Sequence, residues 1–155
     1  MLAVVALAPP DGGDAGIARD APAPEIAGET LDGAAFRLSD LRGRPVIVNF
    51  WGPSCVPCRD EFPLFKAKLA QYADDGLVIV GVLMDDPPEA ARRFVADFEA
   101  GWPTVEDPDR SIRSAYRTVA RPTSYFLDGE GILRSIQIGE VREADFDRQY
   151  AQIAP

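Results

Sequence analysis

Cys55 and Cys58 stand in the string Trp51-Gly52-Pro53-Ser54-Cys55-Val56-Pro57-Cys58, and the chain has no other cysteine and no histidine. Two sulfurs at this spacing can close a disulfide and reopen it. The chemistry on offer is thiolate attack on a disulfide through a mixed-disulfide intermediate. Every redox step must run through this one pair, since nothing else in the chain can resolve a disulfide.

A thiolate needs a site that favours it. The apolar run Val46-Ile47-Val48-Asn49-Phe50 ends just before the motif and a helix-compatible stretch follows. That arrangement delivers Cys55 to the first turn of a helix, where unpaired backbone N–H groups and the helix dipole favour the ionised sulfur. Cys55 is thus expected to attack and Cys58 to resolve. The alternative is an inert surface disulfide, which would stabilise the fold only slightly because it closes so short a loop.

The elements that must hold this pair read as follows. Pro45 to Phe50 suits a strand buried on both faces, and Cys55 to Tyr72 carries Phe62, Phe65, Leu69 and Tyr72 at helical spacing, with Pro63 inside. Leu77 to Met84 is a second buried strand, and Pro87-Pro88-Glu89 starts a helix that runs to Phe98. Strand, helix and strand in that order imply two parallel strands in one sheet with a right-handed crossover. A short helix is expected around Ser111 to Tyr116. An antiparallel hairpin follows, of Thr123–Leu127 and Ile132–Ile138 joined by Asp128-Gly129-Glu130-Gly131, and then a helix between Glu140 and Ile153. Upstream, Glu25–Gly28 and Ala35–Leu38 read as a small hairpin with a helical turn at Ser39-Asp40-Leu41. The whole is α/β, a mixed central sheet with helices on both faces and an N-terminal β-hairpin extension.

At 155 residues and 46% hydrophobic content the chain suits one domain rather than two. The expected division is an apolar N-terminus and Gly/Ala/Asp/Pro-rich flexible tether over 1–22, and a folded domain over 23–155. A net charge of −9, from 25 acidic and 16 basic residues, argues against nucleic-acid phosphate or an anionic membrane surface as partner. No apolar run reaches the roughly 18 residues of a membrane span. Met1 to Pro10 is apolar without the basic region of a signal peptide. It reads either as the remnant of an export signal or anchor, giving a possible membrane tether, or as a functionless tail.

These elements, the C-x-x-C at a strand-to-helix junction and the helix-interior proline five residues after Cys58 resemble the thioredoxin fold from about Ala23 onward. Within that superfamily the strings Leu38-Ser39-Asp40-Leu41-Arg42-Gly43-Arg44-Pro45 before the strand and Cys58-Arg59-Asp60-Glu61-Phe62-Pro63 after it are similar to the extracytoplasmic TlpA/ResA-type thiol-disulfide oxidoreductases. The resemblance implies an enzyme that reduces protein disulfides outside the cytoplasm, on the periplasmic or cell-surface side, and is fed by an upstream electron donor. It also implies a candidate place in cytochrome c maturation, with apocytochrome c or another cysteine protein as substrate. No cofactor and no metal are expected. One departure is Ser54, where such proteins usually carry tryptophan, and it bears on the partner-binding surface.

The same resemblance implies that Pro122 is cis and lies against the sulfurs, whereas composition alone suggests a trans proline starting an edge strand. Arg121 departs from the small or apolar residue expected before that proline. If its guanidinium reaches Cys55 it lowers the thiol pKa; otherwise it is a solvated charge. Glu61, one helical turn beyond Cys58, matches the acidic residue of ResA-type proteins. It is either a partly buried proton shuttle or a carboxylate that complements the helix dipole. Asn49 stands where thioredoxins hold a buried Asp, and cannot move a proton. Trp51 either flanks the site as a surface for a partner's apolar chain or packs in the core. Trp102 is expected to pack in its loop. Val56 and Pro57 add neither charge nor side-chain donor between the sulfurs, so the expected potential is nearer about −270 mV than the roughly −120 mV of a strong oxidase.

Other classes fail on residues. A peroxiredoxin cysteine needs Ser or Thr three positions before it and Pro seven before, but Cys55 has Gly52 and Val48 there, and Cys58 has Cys55 and Trp51. Structural zinc wants four ligands, copper delivery in this fold a histidine, and haem attachment C-x-x-C-H, where Arg59 follows Cys58 instead. A redox-inactive thioredoxin-like binding domain and a disulfide isomerase or oxidase remain as alternatives.

Overall fold

The computed structural model describes residues 17–155. The expected apolar segment Met1–Pro10 and the first part of the tether lie outside them. In chain order the elements are β1 (Ala27–Glu29), β2 (Ala35–Arg37), a 3-10 turn (Leu38–Leu41), β3 (Val46–Trp51), α1 (Val56–Gln71), β4 (Val78–Leu83), α2 (Pro88–Asp97), β5 (Thr104–Val105), α3 (Ser111–Ala115), β6 (Thr123–Leu127), β7 (Leu133–Ile138) and α4 (Glu143–Tyr150).

β1 and β2 form the expected antiparallel hairpin, and the other five strands form one sheet in the order β5-β4-β3-β6-β7. β3 pairs parallel with β4, from Val46 opposite Val78 to Trp51 opposite Leu83, and antiparallel with β6, with Phe50 opposite Thr123. β6 and β7 make the second antiparallel hairpin. β3 is therefore central and buried at all six positions, which is why its sequence is a continuous apolar run rather than an alternation.

Alternate residues of β3 feed two cores. Ile47 and Trp51 join Phe62 and Phe65 of α1, Phe94 of α2 and Phe146 and Tyr150 of α4 on one face. Val46, Val48 and Phe50 join Val80, Val82, Ile112, Tyr116, Tyr125 and Leu127 on the other, where α3 and the N-terminal hairpin lie. Helices thus cover both faces. Pro63 stands within α1, which continues as helix to Gln71 and buries Phe62 and Phe65 on either side of it.

Two features differ from the sequence reading. β5, only two residues long, is an additional edge strand beside β4; a pair of residues carries no period that a pattern can detect. The chain also pairs with β7 upstream of Ala23: Asp20 N–H donates to Leu133 C=O, Leu133 N–H donates back to Ala21 C=O, and Asp20 accepts from Arg134.

β5 has one consequence for the site. Thr104 accepts a hydrogen bond from the Trp51 indole at 3.3 Å, across the gap above Gly81, where a Cβ would lie 2.5 Å from Thr104 Oγ1 and 2.6 Å from Trp51 Nε1. Gly81→Ala is expected to push Trp51 and β5 apart and to cost about 1–3 kcal/mol, the usual range for overpacking. Urea unfolding of the variant against the parent measures it; an unchanged midpoint would show that the contact yields freely.

Candidate active site

Cys55 is the N-cap of α1, with extended backbone, and its Sγ accepts the Cys58 N–H at 3.3 Å. A tight turn precedes it, closed by Cys55 N–H to Gly52 C=O at 3.1 Å. Pro57 falls in the first turn of α1, where a missing N–H costs nothing. Cys55 and Cys58 form a disulfide with Cα atoms 5.3 Å apart. Cys55 is 8% exposed and Cys58 not at all, so Cys55 is the one of the pair with any surface for a partner to approach. Val56, the next residue, is exposed.

The cis-proline loop reaches this turn by strand register. Phe50 of β3 pairs with Thr123 of β6, so the next step along the ladder sets Pro122 beside Trp51 and Arg121 beside Gly52. The Arg121–Pro122 bond is cis. On the other side of β3, Met84 N–H donates to Trp51 C=O at 2.9 Å, which brings the segment after β4 alongside the same turn. Arg121 Nη1 donates to Asp86 at 2.7 Å and to the Met84 carbonyl, and Nη2 donates to Ser54 Oγ at 2.8 Å. Arg121 is therefore neither a free solvated charge nor a hydrogen-bond donor to a cysteine; Asp86 holds it.

Beneath the dithiol lies Glu61, 1% exposed. Oε2 accepts the Val141 N–H at 3.3 Å, and Oε1 has no hydrogen-bond partner. Burial dominates its titration, with Glu140 adding repulsion, and these outweigh the Val141 and Asn49 groups that favour the charge; the carboxyl is pushed up to about 8. Asn49, also buried, donates to Ser124 Oγ at 3.0 Å. A neutral amide beside this carboxyl spares it a second buried charge, which a carboxylate at position 49 would impose.

Residues 20–136 match the AhpC/TSA family. The chain belongs to that family. It is 31% identical to the thiol-disulfide oxidoreductase ResA of Bacillus subtilis over 132 residues, 85% of this chain and 74% of that protein. It is 32% identical to the ResA of Geobacillus kaustophilus over 86% of this chain and 76% of that one. Among solved structures, a thioredoxin-family thiol:disulfide interchange protein of Chlorobium tepidum superposes with a TM-score of 0.79 at 27% identity, covering 88% of this chain and 98% of that chain. The thioredoxin-like fold and the ResA-type resemblance hold. Within the AhpC/TSA family this chain carries a C-x-x-C pair in place of the peroxiredoxin cysteine pattern.

Of the expected site residues, the structure gathers Cys55, Cys58, Pro122 and Arg121 where β3 ends and β6 begins and sets Glu61 one turn below in α1. Trp51 is not among the surface groups. It is fully buried, against Phe62 at 4.8 Å and Phe94 at 5.1 Å between ring centroids, because the odd-numbered positions of β3 face the α1 side. Trp102 packs on Phe62 in the same cluster. The sequence reading had no place for Asp86, nor for the Val141 N–H; the one signal for Asp86 was its position just past a buried parallel strand, where α/β folds put functional loops.

Because the folded-state pKa of Glu61 lies above its unfolded value of 4.5, folding favours the protonated form. Its contribution is fully present below pH 4.5 and is lost as pH rises through about 8. Glu61→Gln is expected to remove that loss. The stability difference between variant and parent should grow with pH across this window by up to about 1.4 kcal/mol per unit, read by denaturant unfolding over a pH series. Parallel curves would refute a buried, titrating carboxyl.

Proposed function

We propose that this protein is a thiol-disulfide oxidoreductase that reduces protein disulfides through Cys55 and Cys58 outside the cytoplasm. The observation that carries the reading is the dithiol itself: Cys55 at the N-cap of α1 with slight exposure, and Cys58 fully buried behind it. The Cys55 thiolate attacks one sulfur of the partner's disulfide, making a mixed disulfide and releasing the other sulfur. Cys58 then loses its proton and attacks Cys55 Sγ, which frees the second sulfur and leaves Cys55–Cys58 oxidised. Two electrons and two protons pass to the partner, and an upstream dithiol donor returns the pair to the reduced state.

The sealed Cys58 cannot give its proton directly to water. Glu61, one turn along the same helix, supplies an acceptor in its ionised form: burial pushes its carboxyl up to about 8, so its carboxylate is a stronger base than an ordinary one. Pro122 and the exposed Val56 give the partner's backbone and apolar side chains a surface beside Cys55. The ResA relatives support an extracytoplasmic setting and make the oxidised cysteines of an apocytochrome c a candidate substrate. Among the described residues no helix is long and apolar enough to cross a membrane; we include in the proposal anchoring through an N-terminal tether over 1–22, whose last residues lie along β7, ahead of a domain over 23–155.

Reduction of insulin by a dithiol donor tests the reading. The parent is expected to accelerate it, Cys55→Ser to abolish the acceleration, and Cys58→Ser to trap a mixed disulfide with an oxidised C-x-x-C-H peptide. Glu61→Gln should flatten the alkaline limb of the rate profile near pH 8. No acceleration by the parent would leave a redox-inactive binding domain. An equilibrium potential near about −120 mV, rather than about −270 mV, would instead indicate an oxidase or isomerase.

A further inference from the structure

Arg121 and Ser54 both depart, beside the dithiol, from the pattern this chain resembles, and they touch. Arg121 Nη2 donates to Ser54 Oγ at 2.8 Å. Asp86 completes the contact: it accepts the Ser54 N–H at 3.0 Å and the Ser54 hydroxyl at 2.8 Å, and pairs with Arg121 at 2.7 Å. Both charged side chains are largely shielded, Arg121 at 21% exposure and Asp86 at 10%. Gly52 makes room, since a Cβ there would overlap Arg121 Nη1, Asp86 Oδ2 and the Met84 carbonyl. Neighbouring Asp85 does not compete for Arg121, because Arg113 and Arg110 hold it.

We propose that Ser54, Asp86 and Arg121 are positioning residues, a charge-neutral clamp that ties the turn before Cys55 to the cis-proline loop and shields the Cys55 sulfur from either charge alone. The proposal rests on the oxidoreductase reading of the dithiol and deepens it. A turn held from both flanking strands keeps Cys55 at one height relative to Pro122, whatever partner docks between them. The neutrality of the pair matters as much as its geometry. A lone guanidinium on that turn would favour the thiolate and thus the reduced state; a lone carboxylate would do the reverse. Compensated, the two leave the thiolate to the α1 N-terminus.

The test is a double-mutant cycle on the equilibrium constant for disulfide exchange with glutathione, read by a thiol-specific mass shift at a pH above the Cys55 titration. Asp86→Asn removes the negative charge with almost no change of shape, and Arg121→Gln removes the positive charge while keeping a polar side chain, though a shorter one with fewer donors. Asp86→Asn is expected to shift the constant toward the reduced form and Arg121→Gln toward the oxidised form, each by about threefold or more. The double variant should return close to the parent. Opposite signs that cancel are not produced by a general loosening of the fold. Constants that stay put, or that move in one direction in all three variants, overturn the clamp. The constant does not depend on catalysis of insulin reduction, so a failed insulin assay would sink the oxidoreductase reading without deciding this one.

Discussion

Strand β3 is hydrogen-bonded on both edges and buried on both faces, and the site depends on where it stops. Its last residue, Trp51, is pinned on every side: the backbone by β4, the indole by Thr104, the ring by Phe62 and Phe94. With that end immobile, the four-residue turn from Gly52 to Cys55 has one place to go, and Cys55 arrives as the N-cap of α1. Burial of a continuous apolar strand is worth about 1.5–3 kcal/mol per large side chain, far more than any polar contact at the surface of the site. The geometry of the dithiol is thus inherited from the core.

The neighbours of β3 then do the rest. Because β4 runs parallel to β3 and β6 antiparallel, the end of one and the beginning of the other meet at the same edge of the sheet. One contributes Asp86, the other Arg121 and the cis proline. The same topology explains the polarity of the site from top to bottom. The upper layer, near solvent, holds a compensated ion pair and one accessible sulfur. The lower layer, inside the α1-side core, holds a sealed sulfur and a carboxyl that burial keeps protonated at neutral pH. The two are one helical turn apart on α1, both fully buried.

Much of this was legible along the chain. The two buried strands, the long helix between them and the closing hairpin carry strong local signals: unbroken apolar runs, 3.6-residue spacing and an Asp-Gly turn; the N-terminal hairpin carries a weaker one. The pair of cysteines named its own chemistry. Glu61 was readable as a candidate because it falls on the same helix as Cys58, where spacing alone sets neighbours. Trp51 left two readings open, and the strand's alternation settled them only once it was known which face α1 covers.

The sequence by itself determined the reactive groups and the elements that carry them, since periodicity, caps and turns are properties of a few consecutive residues. Only the tertiary structure decided the electrostatics. Whether Arg121 is free or paired depends on Asp86, thirty-five positions away. Whether Glu61 is charged depends on how completely α1, β3 and the Val141 loop exclude water around it. A charge feels distance and dielectric rather than sequence separation, and both are set only when the sheet closes.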